Sequence, residues 1–343
     1  MPKAMVRGFL ALACLIAVQC IAAQTRAGQG FELKDEPGKH LDVLLDGHVA
    51  ARYMVAYDKS SPQRLAETYK PYLHVFDADG KQPITKGPGG QFTHHRGIFI
   101  GWMKIKFEDQ SYDRWHMKGG EIVHQEFLKK TAGADEASFT SLTNWNDAAG
   151  KPFLVEERTM TFHRTAGPVR LVIDFHTKLN APRGDLTLDG DPEHAGIQYR
   201  PANEIDGKQT TYVFPKENPN CHKDFDYPWV GETYVLGDKK YSIVDINPPT
   251  NPRKTRWSAY RDYGRFGAFP VAKIKKGQFL KLDYRFLIAD GEMPSAELIQ
   301  KSWDEFAHAA TASPVPKVTV VPAEQPAAQP KKPAKAKAKG SKG

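Results

Sequence analysis

The residues of this sequence best suited to chemistry are histidines that stand beside charged side chains. His94 and His95 are adjacent, follow the glycine-rich segment 87–90, and are followed directly by Arg96. Imidazole exchanges protons near neutral pH and also binds metal ions. Neighbouring side chains in a strand point to opposite faces, so the two histidines can share a site only in a loop, which the glycines favour. The alternative is one histidine in the core and one in solvent.

Two further segments place histidine in a strand-like alternation with polar residues. In the first, His124 and Glu126 fall on one face, which predicts an acid–base or ligand pair or a polar pair on a solvated face. In the second, His194, Gln198 and Arg200 fall on one face. Such a row suits a hydroxylated or anionic ligand, because arginine offers forked donors and glutamine both a donor and an acceptor. A plain surface strand has the same pattern.

The segment 251–267 concentrates arginine and aromatic residues. Aromatic rings stack on the apolar faces of sugars, while arginine bonds the hydroxyl groups, so a carbohydrate site is one interpretation and a loop that closes the core is the other. The predicted catalytic residues are His94, His95, His124, His194 and Glu126. The predicted substrate-binding residues are Arg96, Gln198, Arg200, Arg253, Trp257, Tyr260 and Arg261.

The elements that must position these residues are strands. From residue 31 to 290, short runs rich in Val, Ile, Tyr, Phe and Thr are separated by Gly, Pro, Asn and Asp. Asp46-Gly47 and Asp79-Gly80 predict tight turns, because both pairs accept a positive φ. The sequence therefore predicts an all-β fold, a large antiparallel β-sandwich of the jelly-roll or supersandwich type.

A single helix is predicted near the end of the folded region, at residues 294–308. A proline occupies its first turn, and apolar residues recur at a spacing of three to four, namely Leu298, Ile299, Trp303 and Phe306. We expect this C-terminal helix to pack against the sheets.

The ends of the sequence differ from this body. Residues 1–23 have two positive charges, a short apolar run and then small residues, which predicts a signal peptide and export to the periplasm or the extracellular space. Residues 24–310 are predicted to form a single domain. Residues 311–343 are rich in Pro, Ala and Lys and lack aromatic residues, which predicts a disordered tail. Removal of residues 1–23 leaves one cysteine, Cys221, so no intramolecular disulfide is expected.

Charge and missing motifs exclude several classes of function. The net charge of +8 comes from the two ends, so residues 24–310 are neutral and nucleic acid is not an expected partner. The basic tail is predicted to touch anionic surfaces or merely to aid solubility. The apolar run of the first 23 residues is too short for a transmembrane span. The sequence has no HExxH, GxSxG, phosphate-loop, dinucleotide or calcium-loop motif.

Five segments together resemble a known family. They are THHRGIFIGW (93–102), GGEIVHQEF (119–127), EERTMTF (156–162), HAGIQYRPA (194–202) and NPRKTRWSAYRDYGRFGAF (251–269). In this order they resemble the PmoA-like family of secreted bacterial proteins of unknown function. The resemblance implies an exported β-sandwich with a sugar-related role. It does not imply the methane monooxygenase activity that the family name suggests, because that subunit crosses the membrane several times. Residues 91–93 depart from the family's usual Asp-His-Pro.

Three hypotheses about function follow. The favoured one is a carbohydrate-active enzyme of the lyase, epimerase or hydrolase type, in which His95 or His124 moves a proton and arginines hold the substrate. The second is a metal protein that binds a divalent ion such as copper or zinc through histidines, with Glu126 as a further ligand. The third is a non-catalytic glycan-binding module that uses the aromatic segment around Trp257 and Tyr260. In all three a carbohydrate or another small polar molecule is the expected ligand or substrate.

Overall fold

A computed structural model describes residues 29–325, and it is built mainly of antiparallel strands. Strands make up 49% of the described residues and helices 7%, which confirms the predicted all-β, sandwich-like fold with a C-terminal helix. The predicted signal peptide, residues 1–23, lies outside the described residues. Within residues 29–325, no helix is both long and apolar enough to cross a membrane.

Twenty-one strands and two helices are present in the described part of the chain. The strands are β1 (Phe31–Glu36), β2 (His40–Leu45), β3 (His48–Met54), β4 (Tyr72–Val75), β5 (Ile98–Trp102), β6 (Lys104–Phe107), β7 (Gln110–Tyr112), β8 (Ile122–Ala132), β9 (Glu136–Asn146), β10 (Pro152–Arg164), β11 (Val169–Asn180), β12 (Leu186–Asp189), β13 (Ala195–Tyr199), β14 (Thr211–Phe214), β15 (Trp229–Leu236), β16 (Lys239–Ile246), β17 (Arg256–Ser258), β18 (Gly267–Phe269), β19 (Ala272–Ile274), β20 (Phe279–Asp290) and β21 (Thr319–Pro322). The helices are α1 (Pro62–Thr68) and α2 (Ala296–Phe306).

Two large sheets form the sandwich. One has six strands in the order β1-β2-β3-β4-β5-β13, and the other has nine in the order β21-β14-β15-β16-β20-β11-β10-β9-β8. A four-stranded sheet, β19-β12-β6-β7, and the pair β17-β18 complete the fold. Neighbouring strands of the large sheets run antiparallel throughout. Burial alternates along the long strands β9 and β10, as is common in antiparallel sheets.

The core lies between the two large sheets. Tyr53 of the six-stranded sheet packs on Phe139 of the nine-stranded sheet, with ring centroids 4.8 Å apart. Trp102 faces Trp145 in the same way at 6.0 Å. These side chains are fully buried, and burial of large apolar and aromatic groups of this kind is the main stabilising contribution in a sandwich.

Helix α2 covers the outer face of the nine-stranded sheet, as its apolar spacing predicts. Ile299 is buried against Leu287 and Trp229. Ser295 caps the helix, since its hydroxyl accepts a hydrogen bond from the Leu298 backbone N–H at 3.3 Å. Helix α1 was not predicted, because its seven residues lack two full turns of apolar spacing.

The outer face of the six-stranded sheet is polar and aromatic. Alternate residues of its strands point away from the core, including Arg52 in β3, Tyr72 and His74 in β4, Phe99 in β5 and Gln198 in β13. Helix α1 and the long loops between strands lie over this face. It is therefore the face on which a site can be built.

Two sequence predictions about turns and ends can be compared with the structure. Asp46 and Gly47 have φ values of 53° and 83° and join β2 to β3 in a hairpin, as predicted. The predicted tail, residues 311–343, is described only to residue 325. Its first part is not without structure, because β21 pairs with β14. Val321 packs against the core, which gives this strand the apolar anchor that composition alone did not reveal.

Candidate functional site

Three loops over the six-stranded sheet bring three histidines together. His94 lies between β4 and β5, His116 between β7 and β8, and His194 between β12 and β13. One ring nitrogen from each histidine lies within 4.8 Å of the other two. The ring centroids of His94 and His116 are 4.4 Å apart, and those of His116 and His194 are 5.1 Å apart. A cluster of three imidazoles at this distance is a potential metal-ligand set.

Two of these histidines are oriented by the same local device, an Asp-x-x-His turn. The His116 Nδ1 lies 2.8 Å from a carboxylate oxygen of Asp113, and the other oxygen of Asp113 accepts from the His116 backbone N–H. The His194 Nδ1 lies 2.9 Å from an oxygen of Asp191, which also accepts from the backbone N–H of Glu193. A carboxylate beside Nδ1 keeps the proton on that nitrogen, so Nε2 is left with its lone pair for a ligand.

His94, like the other two members of the cluster, is half-buried. Its Nε2 is inaccessible to solvent and has no hydrogen-bond partner among the described residues. Burial, with smaller contributions from Lys70 and the other two histidines, lowers the pKa of His94 to about 3. His94 is therefore neutral at physiological pH, which is the form that binds metal ions.

His95 faces a cleft beside the cluster. The cleft has a volume of about 300 Å³ and is also lined by His194 and by the rings of Phe92 and Tyr263. The His95 Nδ1 is buried and has no partner among the described residues. Burial, with smaller contributions from His94 and Arg265, lowers the pKa of His95 well below its usual range. The imidazole is therefore neutral at physiological pH.

The charged side of the cleft is held by Glu193. The Tyr260 hydroxyl donates to a Glu193 carboxylate oxygen at 2.8 Å, and the Arg261 guanidinium donates to the same oxygen. Burial opposes ionisation of Glu193, but these hydrogen bonds outweigh it and hold the pKa of Glu193 below its usual value. Tyr260 and Arg261, both predicted to bind substrate, thus stand at the cleft, and Arg261 lines it.

Three of the predicted substrate-binding residues are buried and donate hydrogen bonds to backbone carbonyl groups of the fold. Arg96 is buried and donates to the Ala66 carbonyl at 2.8 Å. Gln198 is buried and donates to the Arg96 carbonyl at 2.5 Å. Arg200 is buried and donates to the carbonyl of Tyr263. These groups fix the backbone of the cleft wall, because a buried guanidinium must find acceptors and here finds them in carbonyl groups.

The predicted pair of His124 and Glu126 does not form. Gln125 is a β-bulge, so His124 and Glu126 are opposite consecutive residues of β9 and point to opposite faces of the sheet. Glu126 is exposed, while the His124 Nδ1 lies 2.6 Å from the Ser141 hydroxyl. Alternation alone did not reveal the bulge, and neither residue contacts the three-histidine cluster.

Two other predicted residues also lie elsewhere. Trp257 is fully buried in the core and cannot offer a face to a sugar. The Arg253 side chain is 74% exposed and lies 3.6 Å from Asp226, away from the cleft. The aromatic segment therefore contributes Tyr260, Arg261 and Tyr263 to the site but not its tryptophan.

Sequence reasoning missed His116 and both orienting carboxylates. A signal for them is present in the sequence, because Asp113-Arg114-Trp115-His116 and Asp191-Pro192-Glu193-His194 share the spacing Asp-x-x-His. An aspartate three residues before a histidine can bond both the intervening backbone and the imidazole.

Several solved structures are similar to this chain in fold at very low identity. The galactosidase domain of alpha-galactosidase-sucrose kinase is 8% identical, with a TM-score of 0.42, over 76% of this chain and 42% of that one. A GalM/aldose epimerase homologue from C. elegans is 9% identical, with a TM-score of 0.35, over 77% of this chain and 100% of that one. The Slr1438 protein from Synechocystis sp. PCC 6803 is 12% identical, with a TM-score of 0.39, over 76% and 96%. Similarities this distant carry no argument about activity.

A match to a family model is the stronger finding. No curated protein is a match for this sequence. Residues 40–304 match the model of a family described as a family of unknown function, DUF6807. The predicted membership of a PmoA-like family is wrong, because the family found is DUF6807 and no PmoA-like family is shown. All five segments on which that resemblance rested lie inside the matched range. The chain therefore belongs to the DUF6807 family, whose function is unknown.

Proposed function

We propose that His94, His116 and His194 hold a divalent metal ion and that the adjoining cleft binds a sugar-like substrate. The protein would then be a metal-dependent, carbohydrate-active enzyme. The observation that carries this proposal is the convergence of three ring nitrogens within 4.8 Å of one another. Two of the three imidazoles are backed by a carboxylate, which is the usual surrounding of metal-binding histidine.

The surroundings of the cluster favour a metal over a simple polar contact. A buried imidazole nitrogen without a partner costs about 1–3 kcal/mol, and the Nε2 of His94 is such an atom. A metal ion would satisfy it. The carboxylates of Asp113 and Asp191 would also offset part of the charge of a divalent ion.

Three protein ligands leave a coordination position open, as in catalytic zinc sites, whereas structural sites are closed by four. His194 also lines the cleft, so an ion held by the three histidines would lie beside the space where a substrate fits. When bound, a divalent ion supplies Lewis acidity to a substrate or water oxygen. Zinc and copper are the ions that imidazole ligands suit best.

The cleft has the side chains that a sugar needs. Phe92 and Tyr263 offer aromatic faces, while Glu193, Arg261 and Asp262 offer hydrogen-bonding groups on the other side. His95 would transfer a proton during the reaction, and proton transfer is a requirement that lyases, epimerases and hydrolases share. The reaction class therefore stays open among these three.

The metal proposal is tested by elemental analysis of the purified protein after reconstitution with zinc or copper. We expect about one ion per chain in the wild type and in His124→Ala, and almost none in His194→Ala. His124→Ala is the matched control, because it removes an imidazole outside the cluster. A wild type without bound metal, or equal loss in both variants, would overturn the proposal.

The substrate class is tested by binding of mono- and oligosaccharides to the metal-loaded protein. Phe92 is 40% exposed, so Phe92→Ala removes a stacking face without opening the core. We expect sugar binding to weaken in Phe92→Ala and to persist in Phe279→Ala, which removes an exposed phenylalanine on a distant strand. Binding that is equal in both variants, or absent from the wild type, would refute a sugar site here.

We also propose export, on the pattern of residues 1–23. The expression of the full sequence in a bacterium, followed by fractionation and N-terminal sequencing, tests it. We expect the mature protein outside the cytoplasm with its first residue near Gln24. An unprocessed chain in the cytoplasm would contradict export.

A further inference from the structure

A second cavity lies on the outer face of the six-stranded sheet, beside α1. Its volume is about 590 Å³, and it shares no lining residue with the cleft beside the histidines. The loop between β4 and β5 separates the two, since Pro88 lines this cavity and Phe92 lines the cleft. We call it the basic cavity, because five of its lining residues are Lys or Arg. Four of them, Lys39, Arg52, Arg64 and Lys81, form its wall, and the fifth, Lys70, is buried and donates to the Trp115 carbonyl at 2.8 Å.

The floor of the basic cavity is apolar. Met54 comes from β3, Tyr72 from β4 and Phe76 from the residue that follows β4, so strand alternation places all three on the same face of the sheet. Pro83 and Pro88 extend this surface. An inorganic anion would gain nothing from such a floor, whereas a ligand with an apolar body would bury surface against it.

The wall of the basic cavity is positively charged. Lys39 and Lys81 are 72% and 80% exposed in their side chains and lie 3.6 and 4.0 Å from carboxylate oxygens of Glu36 and Asp79. Such exposed, solvent-screened pairs are weak, so a ligand carboxylate could replace them. Glu67 is the one carboxylate of the described residues that line the cavity, and the Arg64 guanidinium already binds it. Apart from Glu67, the charged side chains that line the cavity are all basic.

Arg52 is held in place at the junction of floor and wall. Its Nε and Nη2 donate to the two carboxylate oxygens of Asp42 at 2.6 and 3.0 Å. Its guanidinium carbon lies 5.4 Å from the centre of the Phe76 ring, which is a cation–π distance. The bidentate pair leaves Nη1 for a ligand and fixes its position, so little side-chain entropy would be lost on binding.

We propose that the basic cavity binds an organic anion with an apolar body, such as an aromatic carboxylate, independently of the metal site. The carboxylate would lie among Arg52, Lys39 and Lys81, and the ring would lie over Met54 and Phe76. A cavity of this volume is large enough for a small organic molecule.

The proposal is tested by calorimetric titration of the full protein with 2-naphthoate, its neutral analogue 2-naphthamide and the hydrophilic anion D-glucuronate. We expect one site per chain for naphthoate, with the amide and glucuronate each binding at least about tenfold more weakly. Raising the salt concentration should weaken naphthoate binding, because the wall charges are exposed to solvent.

Charge reversal locates the site. In the double variant Lys39→Glu/Lys81→Glu we expect naphthoate to bind at least about tenfold more weakly. The matched control is Lys106→Glu/Lys273→Glu, which reverses two exposed lysines on the four-stranded sheet and should bind as the wild type does. All four positions are exposed, so folding is not at risk.

Three results would overturn the binding of an organic anion in the basic cavity, and a fourth would overturn its independence of the metal site. The three are no binding of naphthoate by the wild type, equal affinities in the two double variants, and glucuronate binding as tightly as naphthoate. Naphthoate affinity should also be unchanged in His194→Ala, which separates this site from the metal proposal. A loss in that variant would place the ligand in the cleft and refute an independent site.

Discussion

The histidines of the nine-stranded sheet and those of the loops over the six-stranded sheet have different surroundings. In the nine-stranded sheet each histidine has a partner on a neighbouring strand. His163 lies 2.9 Å from Asp174, and His176 lies 2.6 Å from Asp283. In the loops, His94, His116 and His194 turn towards one another instead. Histidine thus makes a pairwise contact with a neighbouring strand in the nine-stranded sheet, whereas in the loops three histidines form one cluster.

The difference follows from backbone geometry. Antiparallel strands set side chains in facing pairs about 4.5–5.5 Å apart, which suits one hydrogen bond or ion pair. Three side chains can meet at one point only where the backbone departs from the regular hydrogen-bonded pairing of strands, which we call the ladder. Each of the three loops that hold His94, His116 and His194 departs from it in this way. Histidines of a ladder are therefore expected to act on stability, and those of the loops on ligand binding.

The largest expected effect is that of metal removal on the loop cluster. With free metal at about 1,000 times its Kd, binding adds about 4 kcal/mol to the free energy of unfolding. A chelator should remove this contribution from the wild type and lower its Tm, measured by circular dichroism. His194→Ala should be less stable than the loaded wild type and insensitive to chelator.

The ladder histidines provide the control. His124→Ala should respond to the chelator as the wild type does, because its imidazole bonds only Ser141 in the neighbouring strand. If the chelator leaves the Tm of both the wild type and His194→Ala unchanged, the loop histidines bind no stabilising metal and the two regions do not differ in this respect.

The second effect belongs to the ladder and concerns Asp174. Its two oxygens accept from the Arg285 Nε and Nη2 at 2.6 and 2.8 Å, and His163 bonds it from the other side. Asp174→Asn would leave the mostly buried guanidinium of Arg285 without its counter-charge, which costs about 3 kcal/mol. Chemical denaturation measures the loss, and metal content should not change.

The pH dependence of this pair has a definite sign. Burial opposes ionisation of Asp174, but the hydrogen bonds from Arg285 and His163 prevail and lower its pKa below the usual value. The ionised group then stabilises the fold above the unfolded-state pKa, and this stability is lost as pH falls through the folded-state pKa. Asp174→Asn should lose less stability than the wild type on acidification. An unchanged acid profile would contradict this.

The ladder region was also the easier one to predict from sequence. Alternation of apolar and polar residues determines which face of a strand is buried, and the spacing of Ile299 and Trp303 determines the buried face of α2. The β-bulge at Gln125 was not predictable, because one extra residue leaves the local composition unchanged and yet moves Glu126 to the other face.

The loop region was harder because its geometry depends on contacts between distant segments. His94 and His194 were predicted as site residues, but their meeting depends on how three loops cross the same sheet face. His116 stands alone among residues that carry no strand or helix pattern. In the sequence, only the shared spacing of Asp113–His116 and Asp191–His194 relates His116 to His194. Without the fold, a repeated spacing of two residue types is a weak indication of a common site.

The third effect tests that repeated turn. Asp191→Asn removes the charge beside the His194 Nδ1 while an amide oxygen still accepts from the backbone. We expect metal affinity to fall about 10–100-fold, since carboxylates behind a ligating histidine have effects of this size. Competition with a chromophoric chelator measures it. Asp185→Asn, an exposed carboxylate bonded to Lys275, is the control and should leave the affinity unchanged. Equal affinities in both variants would show that the turn does not orient a ligand.

The smallest effect is expected at His124, a histidine of the nine-stranded sheet. Burial lowers the pKa of His124 to about 4, so the folded protein holds it neutral while the unfolded chain protonates it below about pH 6.5. The unfolded state then binds more protons between these values, and the free energy of unfolding falls as pH is lowered.

His124→Gln should cost about 1 kcal/mol at pH 7.5 through the weakened bond to Ser141. Because glutamine does not titrate, this deficit should shrink towards pH 5 in denaturation curves. A stability deficit of His124→Gln that is constant with pH would mean that burial does not hold His124 neutral. The substitution should leave the metal content unchanged at either pH.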